Sequence, residues 1–173
     1  MLYNPNLPIV VSSDASPVGL GAVLSHQITV NGDLVERPVA YASCALNERQ
    51  QRYFHLDREA LGLIFAVTHF HNFLIGRKFT LVTDNSPIRH IFSPAKDIPI
   101  YTRDRLQRYA CILQTYHYVL VHRKSEEVAP ADALSRLTCE AKIHEIYCDE
   151  VFEELPVSED VACLLYTSPS PRD

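Results

Sequence analysis

Near its beginning the chain runs Pro8-Ile9-Val10-Val11-Ser12-Ser13-Asp14 and then, after a Ser16-Pro17 turn, Gly19-Leu20-Gly21-Ala22-Val23-Leu24-Ser25-His26. Both runs are short, apolar and bounded by turn residues, which predicts two strands. Serine and proline favour a tight turn between them. The first run ends at Asp14, so a carboxylate stands at the end of an apolar strand.

Three further strands are predicted outside this pair. Asn31-Gly32 predicts a hairpin, because both residues tolerate positive φ. The hairpin leads to a third strand at Arg37-Pro38-Val39-Ala40-Tyr41-Ala42-Ser43. The first three predicted strands follow one another through short turns, so we expect them to pair antiparallel at the start of the domain. The fourth and fifth strands are predicted at Phe79-Thr80-Leu81-Val82-Thr83 and from Tyr116 to His122.

Helical spacing follows the opening strands. A first helix is predicted to end at Gly76, on the apolar positions Leu63, Ala66, Val67, Phe70 and Leu74. Ser86 is predicted to cap a short helix with Pro87 in its first turn, Thr102 to cap another helix, and Pro130 to start the last one. The order β-β-β-α-β-α-α-β-α predicts a mixed α/β domain.

Charge divides the chain near residue 137. Residues 1–137 hold 14 Lys and Arg against 12 Asp and Glu, whereas residues 138–173 hold 2 against 9. We predict one domain at 1–137 and a partly disordered acidic linker at 138–162, with a loosely packed helix as the alternative. Residues 163–173 resemble a translated sequencing adapter, so we expect a truncated reading frame and leave them out of the fold.

Composition excludes several classes of protein. The chain is 47% hydrophobic and 21% charged, which is ordinary for a globular protein. Apolar runs such as residues 63–67 are far too short to span a membrane. The N-terminus lacks the pattern of a signal peptide, and the five cysteines are scattered. We therefore expect an intracellular protein without a membrane partner.

Three carboxylates stand in unusual positions. Asp14 and Asp84 each end an apolar strand, and Glu59 lies in line with the buried stripe that includes Gly62 and Ala66. Taken singly, each acid has an ordinary structural role as a turn residue or a first-turn helix residue. Clustered carboxylates repel unless a cation neutralises them, and oxygen ligands favour Mg²⁺ or Mn²⁺.

Six motifs then occur in a fixed order along the chain. They are Asp14-Ala15-Ser16-Pro17-Val18-Gly19-Leu20-Gly21-Ala22-Val23-Leu24, Val39-Ala40-Tyr41-Ala42-Ser43, Asp57-Arg58-Glu59-Ala60-Leu61, Gly76-Arg77-Lys78-Phe79-Thr80-Leu81-Val82-Thr83-Asp84, Arg105-Leu106-Gln107-Arg108-Tyr109 and Ala131-Asp132-Ala133-Leu134-Ser135-Arg136-Leu137. Together they resemble the ribonuclease H domain of gypsy-type LTR-retrotransposon reverse transcriptases. The resemblance covers residues 7–137, essentially the whole predicted domain.

The resemblance implies a ribonuclease H-like fold and an activity. The fold would be a five-stranded mixed sheet flanked by helices. The reaction would be cleavage of the RNA strand of an RNA·DNA hybrid with two Mg²⁺ or Mn²⁺ ions. The implied ligands are Asp14, Glu59, Asp84 and Asp132, of which Asp132 would otherwise pass for a helix-capping residue.

Substrate contacts are predicted from neighbouring positions. Ser16 and Asn85 stand beside the acids and are candidates for contacts to the 2′-hydroxyl of RNA. Arg105 and Arg108 are candidates for phosphate contacts, together with Arg103, Arg123 and Lys124. A solvated helix face explains the two helical arginines equally well.

The chain departs from the family pattern at a few positions. Cys44 stands in place of the usual Arg, Asn85-Ser86 in place of His-Lys, Lys124-Ser125 in place of Pro-Gly, and Val128 in place of Asn. No Asp-Asp pair occurs anywhere, so the polymerase motif is missing. The expected partners are the hybrid and a polymerase domain of the same polyprotein. The expected location is the cytoplasm or a virus-like particle.

Two rival functions remain at this point. The first is a catalytically inactive ribonuclease H-like module that serves as a structural or nucleic-acid-binding part of the polyprotein. The second is another nuclease on the same fold, such as a 3′ exonuclease. Retention of the acids disfavours the first rival, and the gypsy-type motifs disfavour the second.

Overall fold

The computed structural model describes residues 1–92, 104–123 and 129–137. In this part of the chain five strands form one mixed sheet: β1 (Ile9–Ala15), β2 (Gly19–Val30), β3 (Asp33–Ala45), β4 (Lys78–Thr83) and β5 (His117–His122). The helices are α1 (Glu48–Gln51), α2 (His55–His69), α3 (His71–Leu74), α4 (Ser86–Ile91), α5 (Asp104–Gln114) and α6 (Ala129–Arg136). The predicted five-stranded mixed sheet with flanking helices is confirmed.

The sheet has the order β3-β2-β1-β4-β5. The first three strands pair antiparallel, as expected, whereas β4 pairs parallel with β1 and β5 pairs parallel with β4. Because β1, β4 and β5 run in one direction, their carboxyl ends meet at one edge of the sheet. Asp14 and Asp84 both lie at that edge.

The β2–β3 hairpin is longer than predicted. Asn31 has φ 55° and Gly32 has φ 94°, which confirms the turn. Because the turn has only two residues, β2 and β3 pair along their whole length up to the turn, and their last pair is Val30 with Asp33. The sequence placed the ends of these strands at His26 and Arg37 because the alternation of apolar residues is weak between them.

The predicted long helix is interrupted. α2 ends at His69, and α3 begins at His71 after Phe70, whose φ of −93° and ψ of 15° depart from helical values. The apolar spacing continues across the break, and for that reason the sequence predicts a single helix. Gly76 has φ 70° and stops the segment as predicted.

Helix caps differ in detail from the prediction. Asn85, not Ser86, caps α4: its side-chain oxygen accepts from the N–H of Ile88 at 3.2 Å. The short helix α1 was not predicted, although its sequence carries a capping box. Asn47 accepts from the N–H of Gln50 at 2.8 Å, and the Gln50 side chain accepts from the N–H of Asn47 at 3.0 Å.

Apolar packing covers both faces of the sheet. On one face α6 lies against Val10, Val23 and Val82, with Ala131 buried at the centre of the contact. Side chains alternate along a strand, so the residues on either side of Val10 point to the opposite face of the sheet. On that face α2 packs against β1, and α5 packs against α2. The carboxyl edge of β1 therefore sits between α2 and α6.

Several sequence predictions fall outside the described residues: the helix start at Thr102, the cations Arg103 and Lys124, the linker 138–162 and the terminal segment 163–173. The chain divides into the compact units Met1–Glu140 and Ala141–Asp173, and the second lies wholly among residues that are not described.

In the described ranges, none of the helices has the length and apolar character needed to cross a membrane.

Candidate active site

Strand register brings two of the acids together. The parallel pair β1–β4 aligns Val11 with Leu81 and Ser12 with Val82. Two residues further along, Asp14 and Asp84 stand at the same level, because both chains advance by the same rise per residue. The apolar residues that precede each acid are buried in the core, so each acid comes at the end of a buried strand.

Glu59 joins these acids from α2. It is 5% exposed and lies near the start of the helix, where α2 passes over the end of β1. Gly62, one turn later, faces the backbone of Asp14 and the side chain of Ala15. One carboxylate oxygen each from Asp14, Glu59 and Asp84 lies within 4.8 Å of the others.

Burial and like charge strain this group electrostatically. Burial, reinforced by the charges of Asp14 and Asp84, raises the pKa of Glu59 to about 8, and Arg58 opposes the rise. Burial also raises the pKa of Asp14, against a hydrogen bond from Ser135 that lowers it. Without a cation, at least one of these carboxyls is protonated near neutral pH.

The fourth predicted ligand lies apart from the other three. Asp132 is on α6, close enough that its charge raises the pKa of Asp14. Its Oδ1 accepts from Nε of Arg136 at 2.8 Å and lies 2.6 Å from the second guanidinium nitrogen of that arginine. The group of three close carboxylates does not include Asp132, and its role as a fourth ligand stays a prediction.

A cation suits the three clustered acids. Their carboxylate oxygens lie within 4.8 Å of one another, a donor set of oxygen ligands that fits a cation. A cation bound there would offset the charges of Asp14 and Asp84, which add to burial in raising the pKa of Glu59.

The two predicted 2′-hydroxyl contacts have structural partners. Ser16 is 6% exposed, and its hydroxyl lies 2.6 Å from the Ser135 carbonyl and 3.2 Å from the Gly19 carbonyl while accepting from the N–H of Gly19 at 2.9 Å. Asn85 is half-buried and caps α4. Their role toward substrate stays a prediction.

Arg105 and Arg108, the two predicted phosphate contacts, have different surroundings in the structure. Arg105 donates to Oδ2 of buried Asp57 at 3.2 Å, and its guanidinium lies 3.7 Å from the centre of the Tyr53 ring. This arginine ties α5 to the start of α2. Arg108 lies on the exposed part of α5. Arg123, a further predicted phosphate contact, donates to Glu36 at 2.6 Å.

Two residues at the site, Ser135 and His122, have roles in the structure that were not predicted from the sequence. Ser135 donates to Asp14 Oδ2 at 2.7 Å. His122 Nε2 lies 3.0 Å from the backbone oxygen of Asp84, and His55 Nδ1 lies 3.5 Å from Glu59 Oε1. The helical spacing of His55 and Glu59 signalled a local contact. The other two contacts join distant segments, and nothing in the sequence signals them.

A family model, described as the RNase H-like domain found in reverse transcriptase, matches residues 4–116. The chain belongs to this family. The resemblance drawn from the six motifs is thereby confirmed.

Curated relatives of this RNase H-like domain include retrotransposon polyproteins of Drosophila melanogaster. The chain is 31% identical over 135 residues to the retrovirus-related Pol polyprotein from transposon 297, covering 78% of this chain and 12% of the relative. It is 33% identical over 128 residues to that from transposon 412, covering 74% and 10%. For transposon gypsy the identity is 28% over 143 residues, covering 82% and 13%. The chain thus spans about a tenth of the length of these relatives.

Solved structures agree in fold. LC11-RNase H1 in complex with RNA/DNA hybrid superposes with a TM-score of 0.53 at 20% identity, covering 73% of this chain and 92% of that one. The foamy viral protease-reverse transcriptase dRH, solved with double-stranded DNA, gives 0.54 at 12% identity, covering 72% and 22%. At these identities the likeness establishes the ribonuclease H fold alone.

Proposed function

We propose that this domain is a divalent-metal-dependent endonuclease that cleaves the RNA strand of RNA·DNA hybrids. The observation that carries the proposal is the convergence of Asp14, Glu59 and Asp84 within 4.8 Å at one edge of the sheet. The family match and the hybrid bound by LC11-RNase H1 supply the class of substrate.

Asp14, Glu59 and Asp84 would hold the cation. Two Mg²⁺ or Mn²⁺ ions bound there would supply the Lewis acidity that phosphodiester hydrolysis needs. The chain's own contribution is to hold the three carboxylates close together in a partly dry site, where their charge attracts cations and repels a bare phosphate. The domain should therefore bind its anionic substrate productively only when cations are present.

Asp132 completes the ligand set in this proposal only after it leaves Arg136. α6 already places Asp132 near Asp14, as its effect on the pKa of that acid indicates. Arg136 is 70% exposed, so its contact with Asp132 is weak and easily exchanged. Once released, the guanidinium is available to a phosphate of the substrate.

The inactive module is the second candidate, and one observation favours it. With Asp132 held by Arg136, the described site offers three clustered acids in place of four. Such a domain would bind nucleic acid beside a polymerase domain of the same polyprotein without cutting it. The relatives are polyproteins about ten times longer than the matched segment, which supports a partner domain in the same polyprotein. We propose a polymerase domain as that partner, and the cytoplasm or a virus-like particle as the location.

One experiment separates these functions. The full chain is incubated with a labelled RNA·DNA hybrid and with single-stranded controls, in Mn²⁺ and in EDTA, beside Asp84→Asn. Metal-dependent cutting of the RNA strand, lost in the variant, is the expected result. Hybrid binding without cutting in Mn²⁺ supports the inactive module, and cutting confined to single strands supports an exonuclease.

A further inference from the structure

The hydroxyl of Ser135 lies inside the protein, between the last helix and the strand that carries Asp14. Ser135 is 0% exposed. Its Oγ is 2.7 Å from Asp14 Oδ2 and 2.9 Å from the backbone oxygen of Asp132. A hydroxyl has one proton for these two acceptors, and the carboxylate is the stronger acceptor. The proton of Ser135 therefore points mainly at Asp14.

The position of this hydroxyl depends on the seating of α6. Ser16 Oγ donates to the backbone oxygen of Ser135 at 2.6 Å. Gly21 lies directly under the helix, since a Cβ at that position would be 2.1 Å from the Ala131 oxygen and 2.7 Å from the Ser135 nitrogen. Leu134 packs into the apolar cluster on the same face of the sheet. These contacts hold the Ser135 side chain in one place.

We infer that Ser135 is a positioning residue: its hydroxyl holds the Asp14 carboxylate in one orientation and thereby strengthens cation binding at the site. The inference rests on the proposed function, because it takes Asp14 as a metal ligand. Hydrogen-bond partners behind metal-binding side chains fix ligand orientation, and their loss typically costs about 10- to 100-fold in metal affinity. Ser135 acts through Asp14 and does not itself contact the cation or the substrate.

The test compares two changes on the same helix in the full chain. Ser135→Ala removes the hydroxyl, whereas Leu134→Ala loosens the packing of α6 and leaves the bond to Asp14 intact. Thermal unfolding in EDTA measures the structural cost of each change, and calorimetric titration with Mn²⁺ measures cation affinity. We expect Ser135→Ala to weaken Mn²⁺ binding about 10-fold or more. Leu134→Ala should lower the unfolding temperature and leave the affinity within about 2-fold of wild type.

Two further variants complete the test. In an Asp14→Asn background, Ser135→Ala should change Mn²⁺ affinity no further, because its effect passes through Asp14. Ser135→Cys keeps the space filled with a weaker donor and carries the test if the alanine variant does not fold; we expect it to bind Mn²⁺ less tightly than wild type.

Three outcomes overturn the inference. One is wild-type Mn²⁺ affinity in Ser135→Ala or Ser135→Cys. Another is an equal loss of affinity in Leu134→Ala, which would assign the effect to helix packing alone. In both cases the proposed function stands if the wild-type chain still cuts the hybrid. The third is a folded wild-type chain that binds no Mn²⁺, which overturns the inference and the metal-dependent function together.

Discussion

At the scale of single residues, Glu59 shows what burial does to a clustered acid. Its side chain is almost fully inside the protein, and two other carboxylates stand within 4.8 Å. A buried like-charge group is stable only if a proton or a cation reduces the repulsion. The site therefore exchanges protons for cations, and metal binding should release protons.

The raised pKa of Glu59 predicts how stability depends on pH when no metal is present. The folded-state pKa, about 8, lies above the ordinary value of 4.5. The protonated form therefore stabilises the fold fully below pH 4.5, and this contribution is lost as the pH rises through 8. In EDTA, the free energy of unfolding should be lower at pH 8 than at pH 5.5. Denaturant titrations at the two pH values measure the difference.

Glu59→Gln is the matched control for that measurement, because it removes the titration and keeps the shape. Its stability should change less between the two pH values than that of wild type. Adding Mn²⁺ at pH 8 should restore the stability of the wild type, since a cation that binds only the folded state stabilises it. Equal pH dependence in wild type and Glu59→Gln would contradict the assignment.

Although Arg105 and Arg108 are only three residues apart, we expect different effects on stability when each is replaced by alanine. Arg105 pairs with buried Asp57 and stacks on Tyr53, so Arg105→Ala should lower the free energy of unfolding by about 2 kcal/mol. Arg108 lies on the exposed part of α5, so Arg108→Ala should change it by less than about 0.5 kcal/mol. Urea unfolding of the two variants decides between a structural and a phosphate-binding role. If Arg105→Ala weakens hybrid binding at unchanged stability, Arg105 is instead a phosphate contact.

At the scale of elements, two glycines test how closely each helix approaches the sheet. A Cβ at Gly21 would be 2.1 Å from a backbone oxygen of α6, whereas a Cβ at Gly62 would be 3.6 Å from its nearest neighbours. Gly21→Ala must displace α6, so we expect a loss of roughly 3 kcal/mol in the free energy of unfolding. Gly62→Ala fits in ordinary contact within a helix, and we expect a gain of about 0.5 kcal/mol. Thermal and urea unfolding measure both.

Elements with strong local signals were predictable from the sequence. Asn31-Gly32 and Gly76 adopt the positive φ values that their residue types favour. The break at Phe70 was not predictable, because the apolar spacing runs through it and the departure from helical angles has no local residue signal. Asp14, Glu59 and Asp84 could be placed at the site since strand ends and helix faces have simple rules. The partners Ser135 and Arg136 depend on where α6 docks, which is a long-range property.

At the scale of the whole molecule, the distribution of charge opposes the proposed substrate. Residues 1–140, one compact unit, hold 14 Lys and Arg against 13 Asp and Glu, whereas residues 141–173 hold 2 against 8. A nucleic acid is a dense polyanion, and its affinity for proteins depends strongly on the cations that they present. The acidic segment brings the net charge of the chain to −5 and should weaken association.

Removal of residues 141–173 should therefore tighten binding to the RNA·DNA hybrid, because the net charge rises from −5 to +1. The measurement is a fluorescence-anisotropy titration in Mn²⁺ of the full chain and of residues 1–140, both carrying Asp84→Asn to slow hydrolysis. We expect the ratio of the two affinities to be largest near 0.05 M salt and to shrink near about 0.3 M, where charges more than roughly 6 Å apart are screened. Circular dichroism establishes that both lengths are folded. A ratio that does not change with salt would contradict the assignment of the effect to charge.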